Sequence, residues 1–414
     1  MWGSKIGDLK MSKAKENIDV IPDINESMEA ENKRIIVFHE GKEYLYVDDK
    51  KVIFDGEERE NKDEERKGDY KPELNEFCTS LFTQYFENIT ILSAAGTSMD
   101  NGNNNGKDRA KLWEKCESKL TEIGDKIKNV KLKEQSFWGN KNLEDTLSYI
   151  ETYQKLGIKD ITSELNEVKG IIRRNCSLLL DKANAPHEEF LRKVTARKIN
   201  SSRVQLFTTN YDTLWEQAAS NAGFIVIDGF SFSHPRKFSG RYFDLDIVNR
   251  EKTRIKNEDS FIPNVIHLYK LHGSIDWQLS GNDIVQTSAE INDALMIYPA
   301  SDKYESSYRQ PFFEMMSRFQ QSLRRDNVLL LVMGFGFQDM HIQNVIIEAV
   351  KQNPSLHLVI LDYNSHGTID VKYYKNMFTG VMSKISIIFG TFRELTESLP
   401  INKVYQEANN EKGF

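Results

Sequence analysis

Ile89-Thr90-Ile91-Leu92-Ser93-Ala94-Ala95-Gly96-Thr97-Ser98 runs from apolar, β-branched residues straight into a turn of small ones. The pattern reads as a buried strand that ends in a tight turn. Two later stretches have the same form. Residues 204–207 lead into Thr208-Thr209-Asn210-Tyr211-Asp212, and residues 266–269 lead toward Leu271-His272-Gly273-Ser274. In an open parallel sheet, ligands bind outside the carboxyl ends of the strands. The three turns can therefore converge on one crevice.

The rest of the chain supports a sheet of that kind. Further apolar runs occupy 224–227, 328–332, 358–361 and 385–388, and helical stretches separate several of them, as at 212–222 and 339–352. Apolar strands alternating with helices predict an α/β protein whose parallel sheet is covered on both faces. Between the first and second motif strands, Leu112, Cys116 and Leu120, then Leu143, Leu147 and Ile150, then Ile171, Leu178 and Leu179 recur at spacings of three, four and seven. That block reads as an all-helical insertion.

Residues 1–72 carry 14 Lys/Arg against 19 Asp/Glu, which accounts for most of the chain's net charge of -7. Short β-rich runs at 35–38, 44–47 and 52–54 suggest a small meander, which is marginal alone and so expected to pack on something, another subunit included. The charged run from Glu57 to Lys71 reads as a linker or a solvated helix. A helix is expected over 74–85, and the Asn101-Gly102-Asn103-Asn104-Asn105-Gly106 stretch reads as a flexible loop. The expected organisation is thus an N-terminal segment (1–72), a first core part (73–106), the insertion (107–185), a second core part (186–400) and a tail (401–414).

At 414 residues, with 39% hydrophobic and 28% charged content, the composition is that of an ordinary globular protein. The acidic balance argues against a general affinity for nucleic acid. Cys78, Cys116 and Cys176 form no CxxC pair, which fits a reducing cytoplasm better than a disulfide framework or a zinc site. No apolar run approaches the roughly 20 residues of a membrane span, and Met1-Trp2-Gly3-Ser4 lacks the apolar core of a secretory signal.

Each turn has its own chemistry. Small residues at Ala95, Gly96, Thr97 and Ser98 let backbone N–H groups and a hydroxyl reach the oxygens of a pyrophosphate, or simply make a tight turn. Asp212 can cap the helix after it; Asn210 can cap too, or use its amide to hold a ribose hydroxyl or orient a water. His272 is followed by Gly273, which leaves the ring uncovered, and an imidazole there can act as a general base. His267, within the strand, reads as structural, and Trp277 as packing. A fourth turn, Gly334-Phe335-Gly336-Phe337, permits close approach of an adenosine ribose, with Asp339 as a helix cap. Asp362 and Asn364 follow the next strand, where a ribose or adenine edge is held in such folds.

Taken in order, Ala-Gly-Thr-Ser, Thr-Thr-Asn-Tyr-Asp, Lys-Leu-His-Gly-Ser and Gly-Phe-Gly-Phe resemble the NAD-binding core of the SIR2 (sirtuin) family, over roughly 74–106 and 186–395. The resemblance implies a Rossmann-like core in which Asn210 positions the nicotinamide ribose and water and His272 is the catalytic base. It further implies that residues 95–98 hold the phosphates, while Gly334, Phe335, Gly336 and Asp362 line the adenosine side. Two departures stand out. Residues 275–333 contain no cysteine, so the zinc module of sirtuin deacylases is not expected, and the Asn/Gly loop replaces their Asp-Phe-Arg element. The pattern resembles bacterial SIR2-like effectors of antiphage defence, whose family activity is NAD+ hydrolysis in the cytoplasm. The branch paired with a HerA-type hexameric ATPase is the nearest in form. Homo-oligomerisation and such an ATPase partner are implied, with no membrane and no direct nucleic-acid contact. A protein deacylase or ADP-ribosyltransferase is the alternative enzyme, and a nucleotide-sensing assembly module the non-enzymatic one.

Overall fold

A strand such as Val328-Leu329-Leu330-Leu331-Val332-Met333 has no polar face to give to water and is stable only with both faces covered. In the computed structural model all six of these residues are buried. The structure describes residues 33–48, 51–60, 70–127, 132–157, 159–198, 201–249, 261–287, 294–297, 310–363 and 368–401. Asn364, all of the segment before residue 33, the charged run at 61–69 and the tail beyond 401 lie outside them.

The strands are β1 (Lys33–His39), β2 (Lys42–Asp48), β3 (Lys51–Phe54), β4 (Glu57–Glu60), β5 (Asn88–Ser93), β6 (Gln205–Thr208), β7 (Ile225–Ile227), β8 (Arg236–Lys237), β9 (Val265–Lys270), β10 (Trp277–Ser280), β11 (Asp283–Gln286), β12 (Val328–Met333), β13 (Leu356–Asp362) and β14 (Ile385–Phe389). Eleven of them form one sheet in the order β4-β3-β2-β1-β14-β13-β12-β5-β6-β9-β7. From β14 to β7 every pairing is parallel. This is the α/β, Rossmann-like sheet the sequence predicts. Its strand order reverses between β5 and β12, the kind of switch point at which such sheets open a crevice.

Alternate side chains feed opposite faces. Leu330 and Val332 join one core with Met315 and Phe319 of the helix Phe312–Ser322 and Ile342 and Ile346 of the helix Met340–Gln352. Leu329, Leu331 and Met333 join the other, with Phe190 of the helix His187–Thr195 and Trp215 of the helix Leu214–Asn221. The insertion has a separate core: Trp113, Cys116 and Leu120 of the helix Arg109–Lys126 pack with Leu147 and Ile150 of the helix Leu143–Lys155 and Val168 and Ile172 of the helix Thr162–Cys176.

The N-terminal meander finds its packing partner within the chain. β1 adds antiparallel to β14, Val37 opposite Ile388 and His39 opposite Ser386. Ile36, Val37, Leu45 and Val52 enter the core beside Leu74 and Phe77 of the helix Lys71–Phe82, which begins three residues earlier than expected. The Ser386 hydroxyl sits between two imidazoles, 2.7 Å from His39 Nδ1 and 2.8 Å from His357 Nε2.

Two sequence readings need correction, and one element was not foreseen. The stretch opening at Glu57 is not wholly linker or helix: Glu57–Glu60 is the edge strand β4, paired with β3, and its charges suit an edge that must repel other strands. The Asn/Gly loop is pinned. Asn101 is buried, donating to Asn104 O and Leu179 O, both at 2.9 Å, and accepting from Asp181 N–H at 3.1 Å. Finally, β10 and β11 form a hairpin that pairs with β8 as a second, three-stranded sheet.

Candidate active site

The strand ends are tied to one another, and this fixes the turns. Ala94 N–H donates to Met333 O at 3.0 Å, Thr209 N–H to Ser93 O at 3.1 Å, Leu271 N–H to Thr208 O at 2.8 Å and Gly390 N–H to Asp362 O at 2.8 Å. Above them opens a cavity of about 470 Å³, within the range of small-molecule sites. It is lined by Ala95, Gly96, Ser98, Asn210, Asp212, His272, Gly334, Phe335, Gly336 and Asp362, ten of the twelve residues singled out in the sequence. Thr97 and Gly273 are not among its lining.

Their places explain why. The Thr97 hydroxyl turns inward, 2.7 Å from Ser93 Oγ and donating to Ala94 O at 2.9 Å, so it serves the turn and not a phosphate. Gly273 has φ +83°, and a side chain there would strike the Leu295 carbonyl oxygen. Its bareness lets residues 294–297 pass: Ser274 N–H donates to Leu295 O at 3.3 Å and Ile297 N–H to His272 O at 2.8 Å.

Gly96 and Gly334 exist for each other. Gly96 N–H donates to Gly334 O at 3.2 Å. A Cβ on Gly96 would stand 2.5 Å from Gly334 Cα, and Gly334 holds φ +63°. The close approach expected toward a ligand is, at these two positions, an approach between two turns at the switch point. Gly336 differs, since nothing lies within 4 Å of a Cβ built there and its bareness leaves room in the cavity.

Asn210 is turned by its surroundings. Its Nδ2 lies 3.0 Å from Ala94 O, 2.7 Å from Ser98 Oγ and 3.3 Å from Thr97 Oγ1. With the amide protons spent on the first turn, the carbonyl oxygen is the group left to accept from a hydroxyl or a water. Asp212 precedes the N-cap of the following helix, Thr213; it accepts from Leu214 N–H at 3.1 Å and from Ser98 Oγ at 2.6 Å. Burial raises its carboxyl above the usual range, against the pull of Lys270 and Ser98.

Lys270 binds the second and third motifs from below. It is buried, donates to the carbonyl oxygen of Asp212, and reaches Tyr211 O at 3.4 Å and Glu216 Oε1 at 2.9 Å. Burial still pushes the Glu216 carboxyl up to about 7. Tyr211 adds a tie of its own, donating to Ile297 O at 2.5 Å.

His272 Nε2 stands 3.3 Å from Asp339 Oδ2. Asp339 also caps the helix Met340–Gln352, its other oxygen accepting from His341 N–H at 3.1 Å. A carboxylate at one ring nitrogen fixes the imidazole's orientation and leaves Nδ1 as the basic atom. The sequence reading made Asp339 a cap alone; its second role is a tertiary contact with no local signature. His267 is structural, its Nδ1 3.2 Å from Tyr269 OH, with burial lowering its pKa to about 4. Trp277 is buried packing.

One wall was not foreseen at all. Leu112, Leu143, Asn175, Cys176 and Leu178, all within or beside the insertion's helices, line the same cavity, together with Lys107 and Tyr363. The Cys176 thiol is pushed up to about 12 by burial and is no nucleophile there. Among the described residues no group of three or more His, Cys, Asp or Glu gathers to hold a metal, and no helix is long and apolar enough to cross a membrane.

No curated protein matches the sequence. A solved structure from work described as "Structural Basis for the Mechanism and Regulation of Sir2 Enzymes" is similar at 11% identity and a TM-score of 0.37, over 83% of this chain and 100% of that one. Residues 204–378 match the family model described as the SIR2-like domain. That span holds Asn210, His272, Gly334 and Asp362, and the sheet brings the turn after β5 to it from outside. From β6 through β13, then, the part of the chain that carries most of the cavity is similar to the SIR2-like domain.

Proposed function

We propose that the chain hydrolyses NAD+ at the nicotinamide–ribose bond, with water as the acceptor. The observation carrying this reading is that Asn210 and the His272–Asp339 pair share one cavity with the small-residue turn after β5. Breaking the C1′–nitrogen bond sends its electron pair to the cationic pyridinium, so nicotinamide leaves neutral and needs no acid. Positive charge builds on the ribose, and the site has to hold the sugar and deliver a nucleophile. The Asn210 carbonyl oxygen holds a ribose hydroxyl or the water. His272 takes the water's proton as its oxygen bonds to C1′, and Asp339 steadies the imidazolium that results. ADP-ribose, nicotinamide and one proton are the products. On the sequence resemblance, the setting is NAD+ depletion in bacterial antiphage defence, by a homo-oligomer working with a HerA-type ATPase.

The test is incubation of the full chain with NAD+ alone, with and without such an ATPase, scoring ADP-ribose. General-base assistance contributes about 10²–10⁴-fold, so His272→Ala should lower turnover by that order, and Asn210→Ala comparably. Products that form only when an acylated peptide or a protein acceptor is added would overturn the hydrolase reading. Full turnover in folded His272→Ala would remove the base.

A further inference from the structure

The charges around the cavity are unequally employed. Asp108 caps the helix Arg109–Lys126, accepting from Lys111 N–H at 2.7 Å. Asp212 is held by Ser98 and Leu214, Asp339 faces His272, and Asp362 accepts from Tyr374 OH at 2.8 Å. Lys107 is the one Lys or Arg among the described lining residues, and within them it makes no hydrogen bond or ion pair. A half-buried lysine left without a partner on the wall of a cavity is a charge awaiting one.

Its place is fixed. Gly106 N–H donates to Ser98 O at 2.7 Å, so Lys107 leaves the backbone directly beside the small-residue turn. The loop before it is anchored through buried Asn101 and through Asp181, whose Oδ2 accepts from both the backbone and the side-chain nitrogen of Asn103 at 2.9 Å. The loop thus acts as a buttress that presents the lysine. A diphosphate brings two negative charges into a cavity that already holds four carboxylates, and repulsion disfavours it unless a cation is at hand. Lysine serves phosphates as a point charge.

We propose that Lys107 is the diphosphate-binding cation of this site, supplied by the junction between the pinned loop and the insertion. The inference rests on the dinucleotide reading of the cavity. Titration calorimetry on the full chain, with ADP-ribose, ADP and adenosine as probes, tests it alongside steady-state NAD+ turnover. A hydrogen bond to a charged group is worth roughly 10–100-fold in affinity. Lys107→Ala should weaken ADP-ribose and ADP by that factor, leave adenosine unchanged, flatten the salt dependence of ADP binding and raise KM more than it lowers kcat. Lys107→Arg should restore most of the loss, and Lys115→Ala, exposed one turn beyond Lys111, should do nothing. Wild-type affinity for ADP-ribose in Lys107→Ala overturns the role of the lysine, as does an equal loss of adenosine, which would mark a general disturbance of the fold. Failure of the wild-type chain to bind any of the three probes overturns the dinucleotide reading, and the lysine's role with it.

Discussion

Replacing Gly96 by alanine strikes the one place where two turns of the site touch backbone to backbone. The new Cβ would lie 2.5 Å from Gly334 Cα and 3.4 Å from that residue's carbonyl carbon and oxygen. Carbon atoms at rest stand about 3.5–4.0 Å apart, so the turns have to separate by roughly 1 Å. No flexible side chain is there to yield. The Gly96–Gly334 hydrogen bond, 3.2 Å at rest, would stretch past its useful range. Overpacking and a lost hydrogen bond together cost about 2–4 kcal/mol. Pairing of β5 with β12 from Asn88 opposite Val328 to Ser93 opposite Met333 resists the separation, which drives the distortion outward to the cavity rim. Urea titration should show the loss of stability, and ADP-ribose affinity should fall at least about tenfold, as every 1.4 kcal/mol does. Gly336→Ala is the control: its Cβ meets nothing within 4 Å, so stability should hold to within about 0.5 kcal/mol while affinity still drops. Gly96→Ala with wild-type stability and affinity would refute the argument from contact.

Two further outcomes follow from buried groups elsewhere. His187 is packed edge-on against Trp215 and Phe392 with neither ring nitrogen hydrogen-bonded, and burial lowers its pKa to about 3. The unfolded chain takes up a proton near pH 6.5 that the folded chain refuses, so stability is full above that pH and is lost as pH falls toward 3. The stability of His187→Phe relative to wild type should therefore be greater at pH 5 than at pH 8 by about 2 kcal/mol in paired denaturation curves; the same difference at both pH values would count against the assignment. Removing residues 1–60 should bare the edge of β14 and the faces of Leu74 and Phe77, giving a chain that aggregates on size-exclusion chromatography. A monodisperse product with unchanged melting would show that the meander is dispensable.

What the sequence revealed and what it hid divide along physical lines. Runs such as 328–333 are legible because an unbroken apolar strand has one way to be buried, and the turns after β5, β6 and β9 are legible because polar residues break such runs abruptly. β4 is hidden because Glu-Glu-Arg-Glu lacks any apolar face; pairing with β3 alone makes it a strand. Thr97 and Ser98 look alike in the sequence, yet one hydroxyl faces Ser93 and the other joins Asn210 and Asp212. Which way a hydroxyl points depends on the neighbouring strand. Asp339 beside His272, and the insertion's leucines along the cavity wall, are contacts between distant segments that no local pattern records.

The junction at the switch point also sets an order of events. Asn88, at the start of β5, donates through its side chain to the carbonyl of Asp326, 238 positions later. β5 therefore leaves the ribosome long before the strand that completes its pairing, and closing so wide a loop is slow. Until β12 arrives, Gly334 is not there to meet Gly96, and the cavity does not exist. A chain that has not yet made β12 is thereby harmless: whatever this site does to its ligand, it begins only once residues 328–334 have joined the sheet.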